Sequence, residues 1–259
     1  MSSVATGYFR PGDSWLHRRD PLTKLLALGW MLIAAFLLPP PFLAALVLAT
    51  ALAAWSVGLL PPLLRSLRIP ALLFASILLV NAFFYPGARD VLVRLGPIAL
   101  SREGLTFGLV SAGRLLVAFM ASILFLFTTL ADDLLESLVA RGASHRIAFV
   151  MLSAVQMVPR LQARAGAILD AQQARGLAVT GSLRHRIRAL IPLVGPILLG
   201  SLIDVRERTF ALEARAFGAS PRRTAYRIVP DPPADRLLRP LIVLAIVGVV
   251  VLAVAAPFR

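Results

Sequence analysis

Two short segments, Ala174-Arg175-Gly176 and Ala214-Arg215-Ala216, set an arginine between small residues 40 positions apart. A guanidinium presents five N–H donors in a fixed fork, suited to carboxylates or helix-end carbonyls of a partner. Small flanking residues let two backbones approach, so the chemistry on offer is recognition. Bond-making chemistry has few candidates. The 259 residues contain no cysteine, which removes thiol nucleophiles, disulfides, Fe–S clusters and Cys-ligated zinc. His17, His145 and His185 are scattered and leave little room for a metal site. No phosphate-binding Gly-rich loop, His-Glu-x-x-His or paired-carboxylate motif is present. The apolar stretches hold Ser76, Asn81, Ser111, Ser122 and Thr128 with no Asp, Glu or His beside them, which argues against an intramembrane enzyme.

The arginines sit near the ends of two amphipathic helical patterns. Around 148–175, at 100° per residue, Met151, Val155, Val158, Ala165 and Leu169 share one side, while Gln156, Arg160, Arg164 and Arg175 lie opposite. Ala163, Ala167, Ala171 and Ala174 form a small-residue ridge beside the arginines. Pro159 is expected to kink this helix or mark its start, and Gly176 to stop it. A second helix is expected over 197–217, with Asp204, Arg208, Ala211 and Arg215 on one face and an Asp204–Arg208 pair along it. Gly218 and Ser220-Pro221 would end it. The segment Ala171–Leu177 aligns with Ala211–Phe217 as an internal repeat, each copy closing on a large apolar residue. Two roles fit the repeated arginine: docking to a partner, or neutralising the negative end of each helix dipole.

The surroundings of these helices are those of a membrane protein. Hydrophobic residues make up 58% of the chain and the mean hydropathy is +0.81. Charged residues are only 15%, against about 25% in soluble domains. Residues 25–64, 69–88, 115–131 and 240–258 carry no charge. About 20 apolar residues cross a bilayer as a helix, so spans are expected near 22–38, 42–60, 69–88, 108–130 and 239–257, the first two split by Pro39-Pro40-Pro41. The uncharged stretches 147–159 and 189–203 are short of a full span, and seven crossings remain an alternative to five. The first span is expected to stay in place rather than act as a cleaved signal, because Arg10, Arg18, Arg19 and Lys24 precede it and no small-residue cleavage site follows. Arg114 is expected about one turn inside the fourth span, snorkelling to its outer boundary, with a buried structural contact within the bundle as the alternative.

Lys and Arg are retained on the cytoplasmic side. With the N-terminus inside and five spans, 22 of the 27 bases face the cytoplasm and the C-terminus is external. The expected organisation is all-α: a four-span membrane domain over 1–131, a cytoplasmic helical domain over 132–238 and a final span over 239–259. The middle part opens on Asp132-Asp133-Leu134-Leu135-Glu136, where Asp133 and Glu136 fit a capping box. Residues 141–239 carry 16 arginines against 6 acids. Such a patch suits anionic lipid, an acidic partner protein or nucleic acid. Nucleic acid is the weakest of these, because aromatics are sparse and no recognition motif occurs.

From about residue 15 to its end the chain resembles the transmembrane (T) components of energy-coupling factor (ECF) importers, the CbiQ/EcfT family. The resemblance rests on Asp20-Pro21-Leu22-Thr23-Lys24 before the first span, Arg114-Leu115-Leu116, Thr128-Thr129, Met157-Val158-Pro159 and the two segments around Arg175 and Arg215. It implies a non-catalytic subunit that binds no cofactor. Two coupling helices would dock on two ABC-type ATPase subunits, which carry ATP and Mg, and the chain would cradle a substrate-binding membrane S component. Ala174, Arg175 and Gly176, with Ala214, Arg215 and Ala216, match the docking motifs. Arg160, Arg164, Asp204 and Arg208 form the supporting face. Ala216 departs from the glycine form of the motif. The cargo, a vitamin or a transition-metal ion, is a property of the S component and is not written here. Glu213-Ala214, Gly218 and Ile228-Val229-Pro230 bear a partial likeness to the coupling loop of ordinary ABC permeases, with the glycine one position early and the final leucine missing. A basic scaffold lying on anionic lipid is a further alternative.

Overall fold

The computed structural model describes residues 9–86, 90–95, 98–176, 183–217 and 231–255. The chain divides into two compact units, one of Gly7–Gly142 with Val229–Arg259, the other built on Ala143–Ile228. The described residues are mainly helical, as expected for an all-α polytopic membrane protein.

In the first unit, α1 (Pro21–Leu37) starts where Asp20 accepts hydrogen bonds from the backbone N–H groups of Leu22 and Thr23, with Pro21 preset at the first helical position. It ends at Leu38, which is extended (ψ 152°) because Pro39 disfavours helical geometry in the residue before it. Helix α2 (Pro41–Ser56) ends four residues earlier than expected, where Gly58 adopts φ 73°. A short α3 (Leu60–Ser66) then meets α4 (Arg68–Phe84) at a bend of 57°. Pro70 accounts for the break: it removes a donor to the carbonyl of Ser66 and its ring crowds that group. An antiparallel hairpin of β1 (Val91–Leu95) and β2 (Ile98–Ser101) leads into α5 (Arg102–Thr128). Ser101 caps α5 by accepting from Gly104 N at 3.1 Å.

Helices α4 and α5 pack closely at two glycines. A Cβ on Gly104 would lie 2.3 Å from Asn81 O, and one on Gly108 would lie 3.1 Å from Leu78 O. Small residues serve membrane helices in this way, since lipid supplies no hydrophobic drive for helices to associate. The core lies where α5 meets α1 and α2. One cluster joins Ala54, Leu59 and Leu63 to Met120, Leu124 and Phe127. The other joins Ala34 and Ala35 to Leu43, Leu46 and Val117. Outward faces stay apolar, with Ile69 89% and Val254 75% exposed, as lipid-facing surface should be.

Among the described residues, α5 and α9 (Pro233–Ala255) are long and apolar enough to cross a membrane alone, and the bent α3–α4 pair has the length and apolarity for a crossing only when its two helices are taken together. Helices α1 and α2, of 17 and 16 residues, reach only about 25 Å against a hydrocarbon core of about 30 Å. Because α5 begins at Arg102, Arg114 lies about 18 Å along it, and its buried Nε has no hydrogen-bond partner among the described residues. The expected capping box is corrected. Helix α6 (Ala131–Val139) has Leu130 as its N-cap, with no side-chain cap. Asp132 and Asp133 fall inside its first turn, where they face the positive end of the helix dipole.

The second unit holds α7 (His145–Ala174) and α8 (Leu183–Ala214), helices of 30 and 32 residues. Both begin earlier than periodicity suggested, absorbing the uncharged stretches 147–159 and 189–203 into their N-terminal parts. Pro159 lies inside α7 and does not mark its start. Gly218, Ser220-Pro221 and Ile228-Val229-Pro230 lie outside the described residues.

Candidate functional site

Both repeated arginines sit where their helices stop, and local chemistry explains the small residue after each. At the end of α8, Ala216 N–H donates to Glu213 O at 2.9 Å and Phe217 N–H donates to Leu212 O at 2.9 Å. These are the two bonds of a Schellman closure. Its geometry requires a left-handed residue at position 216, and Ala216 has φ 54°, unique for a non-glycine among the described residues. At the end of α7, Gly176 occupies the equivalent position with φ 94°, and its N–H donates to Gln173 O at 2.9 Å. Ala-Arg-small is therefore a helix-stop sequence with an arginine fixed at the last turn. Arg175 and Arg215 are both exposed, and neither guanidinium makes a hydrogen bond or ion pair among the described residues. Ala174 and Ala214 are exposed beside them, as is the ridge of Ala163, Ala167 and Ala171.

The supporting residues are arranged differently from expectation. Asp204 does not pair with Arg208 along α8. It accepts from Arg164 of α7 in a two-pronged bridge, Nη1 to Oδ2 at 2.7 Å and Nη2 to Oδ1 at 2.9 Å. A planar fork opposite a carboxylate is a stronger arrangement than one flexible helical-surface pair. The hydrogen bond from Arg164 holds the Asp204 carboxyl below its ordinary value, and Arg160 and Arg208 add to this as nearby positive charges. Gly200 leaves room for the arrangement, since a Cβ there would lie 3.0 Å from Arg164 Nη1.

Phe217 packs against Phe149 with ring centroids 4.7 Å apart and planes tilted by 49°, and lies 6.4 Å from His145. Early residues of α7 thus meet the residue that closes α8, while Arg164, later in α7, meets Asp204, earlier in α8, so the helices run antiparallel. The internal repeat gives this crossing a symmetry. Arg164 and Asp204 are themselves 40 residues apart, so the bridge joins repeat-equivalent positions. Arg175 and Arg215 each lie 11 residues beyond it, about 16 Å along their helices, in opposite directions.

Sequence reasoning assigned no role to the residues around Asp20, and the structure gives them one. Asp235 is wholly buried and accepts from Arg19 Nη1 and from Asp20 N, both at 2.8 Å. Asp20, 1% exposed, caps α1, accepts from Ser137 Oγ of α6 at 2.9 Å, and faces Arg141 at 3.1 Å and Arg239 at 3.3 Å. Arg239 Nε of α9 donates to Thr23 Oγ1 at 3.0 Å. Lys24 Nζ donates to Thr128 O, at the end of α5, at 2.7 Å. The Asp-Pro-x-Thr-Lys segment is therefore the knot that ties α1 to α5, α6 and α9. Its sequence signals were the Asp-Pro-x-Thr-Lys motif itself and an unusual density of charge immediately before an apolar run.

A family model described as a cobalt transport protein, CbiQ, matches residues 12–226. The chain belongs to the CbiQ/EcfT family of ECF transporter T components. It is 33% identical to the energy-coupling factor transporter transmembrane protein EcfT of Heliobacterium modesticaldum, over 88% of this chain and 89% of that one. With EcfT of Listeria innocua it shares 31% identity over 96% and 97% of the two chains. It is also 30% identical to a putative ABC transporter ATP-binding protein of Bifidobacterium longum, over 93% of this chain but 32% of that longer one. As a T component the chain is a multi-pass membrane subunit of a transporter.

Proposed function

We propose that this T component couples two ATPase subunits to a substrate-binding membrane S component, with α7 and α8 as the coupling helices and Arg175 and Arg215 as their docking points. The observation that carries this is the antiparallel pairing of two repeats about Arg164–Asp204, which offers two equal arms, each ending in an exposed arginine. A pair of like partners needs such a presentation: one site, given twice. The match to part of a longer protein named as ATP-binding supports an ATPase as the partner class. The chain itself does no chemistry; ATP and Mg belong to the ATPases. Movement of the ATPases would pass through α7 and α8 to the membrane helices and the S component, releasing a vitamin or metal-ion cargo inward. The excess of arginine in 141–239 supports a cytoplasmic position for this unit, with the N-terminus inside.

The test is Arg175→Ala with Arg215→Ala. Buried at a partner interface, each arginine is worth about 2 kcal/mol, or roughly 30-fold in affinity. The double variant should insert normally, lose the ATPases on co-purification and lose uptake. Full ATPase recovery together with normal uptake would remove the proposal.

A further inference from the structure

The arginine-bearing ends can serve two linked partners only if their separation is held constant, yet each end is a simple helix stop that fixes nothing beyond its own last turn. Two side-chain contacts join α7 to α8 and the residues that close it. One is the tilted packing of Phe217 against Phe149, which lies at the Arg215 end alone. The other is the Arg164–Asp204 bridge, midway between the two ends in residue count. Both of its hydrogen-bonded prongs lie within ordinary charge-assisted distance, and Gly200 admits the guanidinium against α8. A monodentate contact would leave the helices free to rotate about one another. A planar two-pronged contact resists that rotation, and its place on the repeat axis gives both arms the same length.

We infer that Arg164 and Asp204 are positioning residues: their bridge pins the α7–α8 crossing and sets the distance between Arg175 and Arg215 that a pair of ATPases requires. They are not themselves docking residues. The inference rests on the docking reading above and adds to it the element that sets the spacing.

The absence of native cysteine makes the spacing measurable by spin labels at Gln173→Cys and Glu213→Cys, repeat-equivalent exposed positions beside the motifs. In the full chain in lipid nanodiscs, the parent should give one narrow distance distribution. A rotation of 15–20°, the usual scatter of helix crossings, acting on an arm of about 13 Å should displace each label by about 4 Å. Arg164→Asp should therefore shift or broaden the distribution. It should also lower recovery of two co-expressed ATPase chains by about fivefold or more, the range of coupled contacts. Gly200→Leu, which keeps both charges but fills the seat of the guanidinium, should do the same. The exchanged pair, Arg164→Asp with Asp204→Arg, should return both readouts towards the parent. An unchanged distance in Arg164→Asp and Gly200→Leu overturns the inference, and so does a changed distance with undiminished ATPase recovery. Failure of the docking reading shows elsewhere. It appears as retained ATPases in the Arg175→Ala, Arg215→Ala variant, whose label distance stays that of the parent.

Discussion

Exchanging the residues at the two helix stops tests the physical account of the Ala-Arg-small motif. Ala216 holds φ 54° and Gly176 holds φ 94°. The left-handed region costs a residue bearing a Cβ about 1–2 kcal/mol. Against this, alanine has less unfolded-chain entropy to lose than glycine, worth about 0.4–1 kcal/mol in the opposite sense. The net expectation is about 1 kcal/mol of local stability gained by Ala216→Gly and lost by Gly176→Ala, a factor of about five in the opening equilibrium of each helix end. No side chain obstructs the comparison, since a Cβ at Gly176 meets nothing within 4 Å. Hydrogen exchange in the full-length protein reads it directly. After correction for intrinsic rates, the amides of Ala216 and Phe217, bonded to Glu213 O and Leu212 O, should exchange about fivefold more slowly in Ala216→Gly. The amide of residue 176 should exchange faster by a similar factor in Gly176→Ala. Unchanged or faster exchange in Ala216→Gly would refute the strain account, and the small third residue would then need a reason outside the helix, such as close approach of a partner backbone.

Two further outcomes follow from the first unit. Asp235→Ala removes a fully buried carboxylate and strands Arg19 and the N–H of Asp20. Loss of one partner from such a pair costs about 3 kcal/mol, so the midpoint of thermal unfolding in detergent should fall by several degrees, while Asp204→Ala should leave it nearly unmoved. His17, whose ring nitrogens face Arg10 O and Ser14 Oγ, is held below its ordinary value of 6.5 by burial, which outweighs the opposing hydrogen bond to Arg10. The folded state therefore binds fewer protons than the unfolded one, and this contribution is full above 6.5 and lost as pH falls below it. Limited proteolysis of the segment 9–20 should accelerate between about pH 7 and 5, and His17→Gln should flatten that response. The Arg164–Asp204 distance should not change in this window, because the Asp204 carboxyl titrates below its ordinary 3.8.

Much of the architecture was legible because it follows from local composition. Charge-free runs mark the membrane helices, and Pro39-Pro40-Pro41 separates α1 from α2, since neither feature depends on distant parts of the chain. The helix-stop motif was equally local: Gly176 closes α7 through hydrogen bonds within its own last turn. Periodicity misplaced the beginnings of α7 and α8, because the uncharged stretches 147–159 and 189–203 are apolar on several sides and carry no amphipathic signal. It misread Asp133 as a cap because a capping box depends on where the chain turns, and the turn falls at Leu130.

What the sequence by itself determined is the membrane character of the chain, the approximate helices and the two arginines set 40 residues apart. Which acid meets which base was decided only in three dimensions. Asp204 had Arg208 one turn away, yet it bonds Arg164 on another helix. Asp20 and Asp235 share a buried network across 215 residues. Side-chain spacing along one helix gives neighbours but not the crossing of a second helix over it, and a charge bonds where a fork of donors is presented in the right plane. That crossing turns a repeat in the sequence into two arms of equal length.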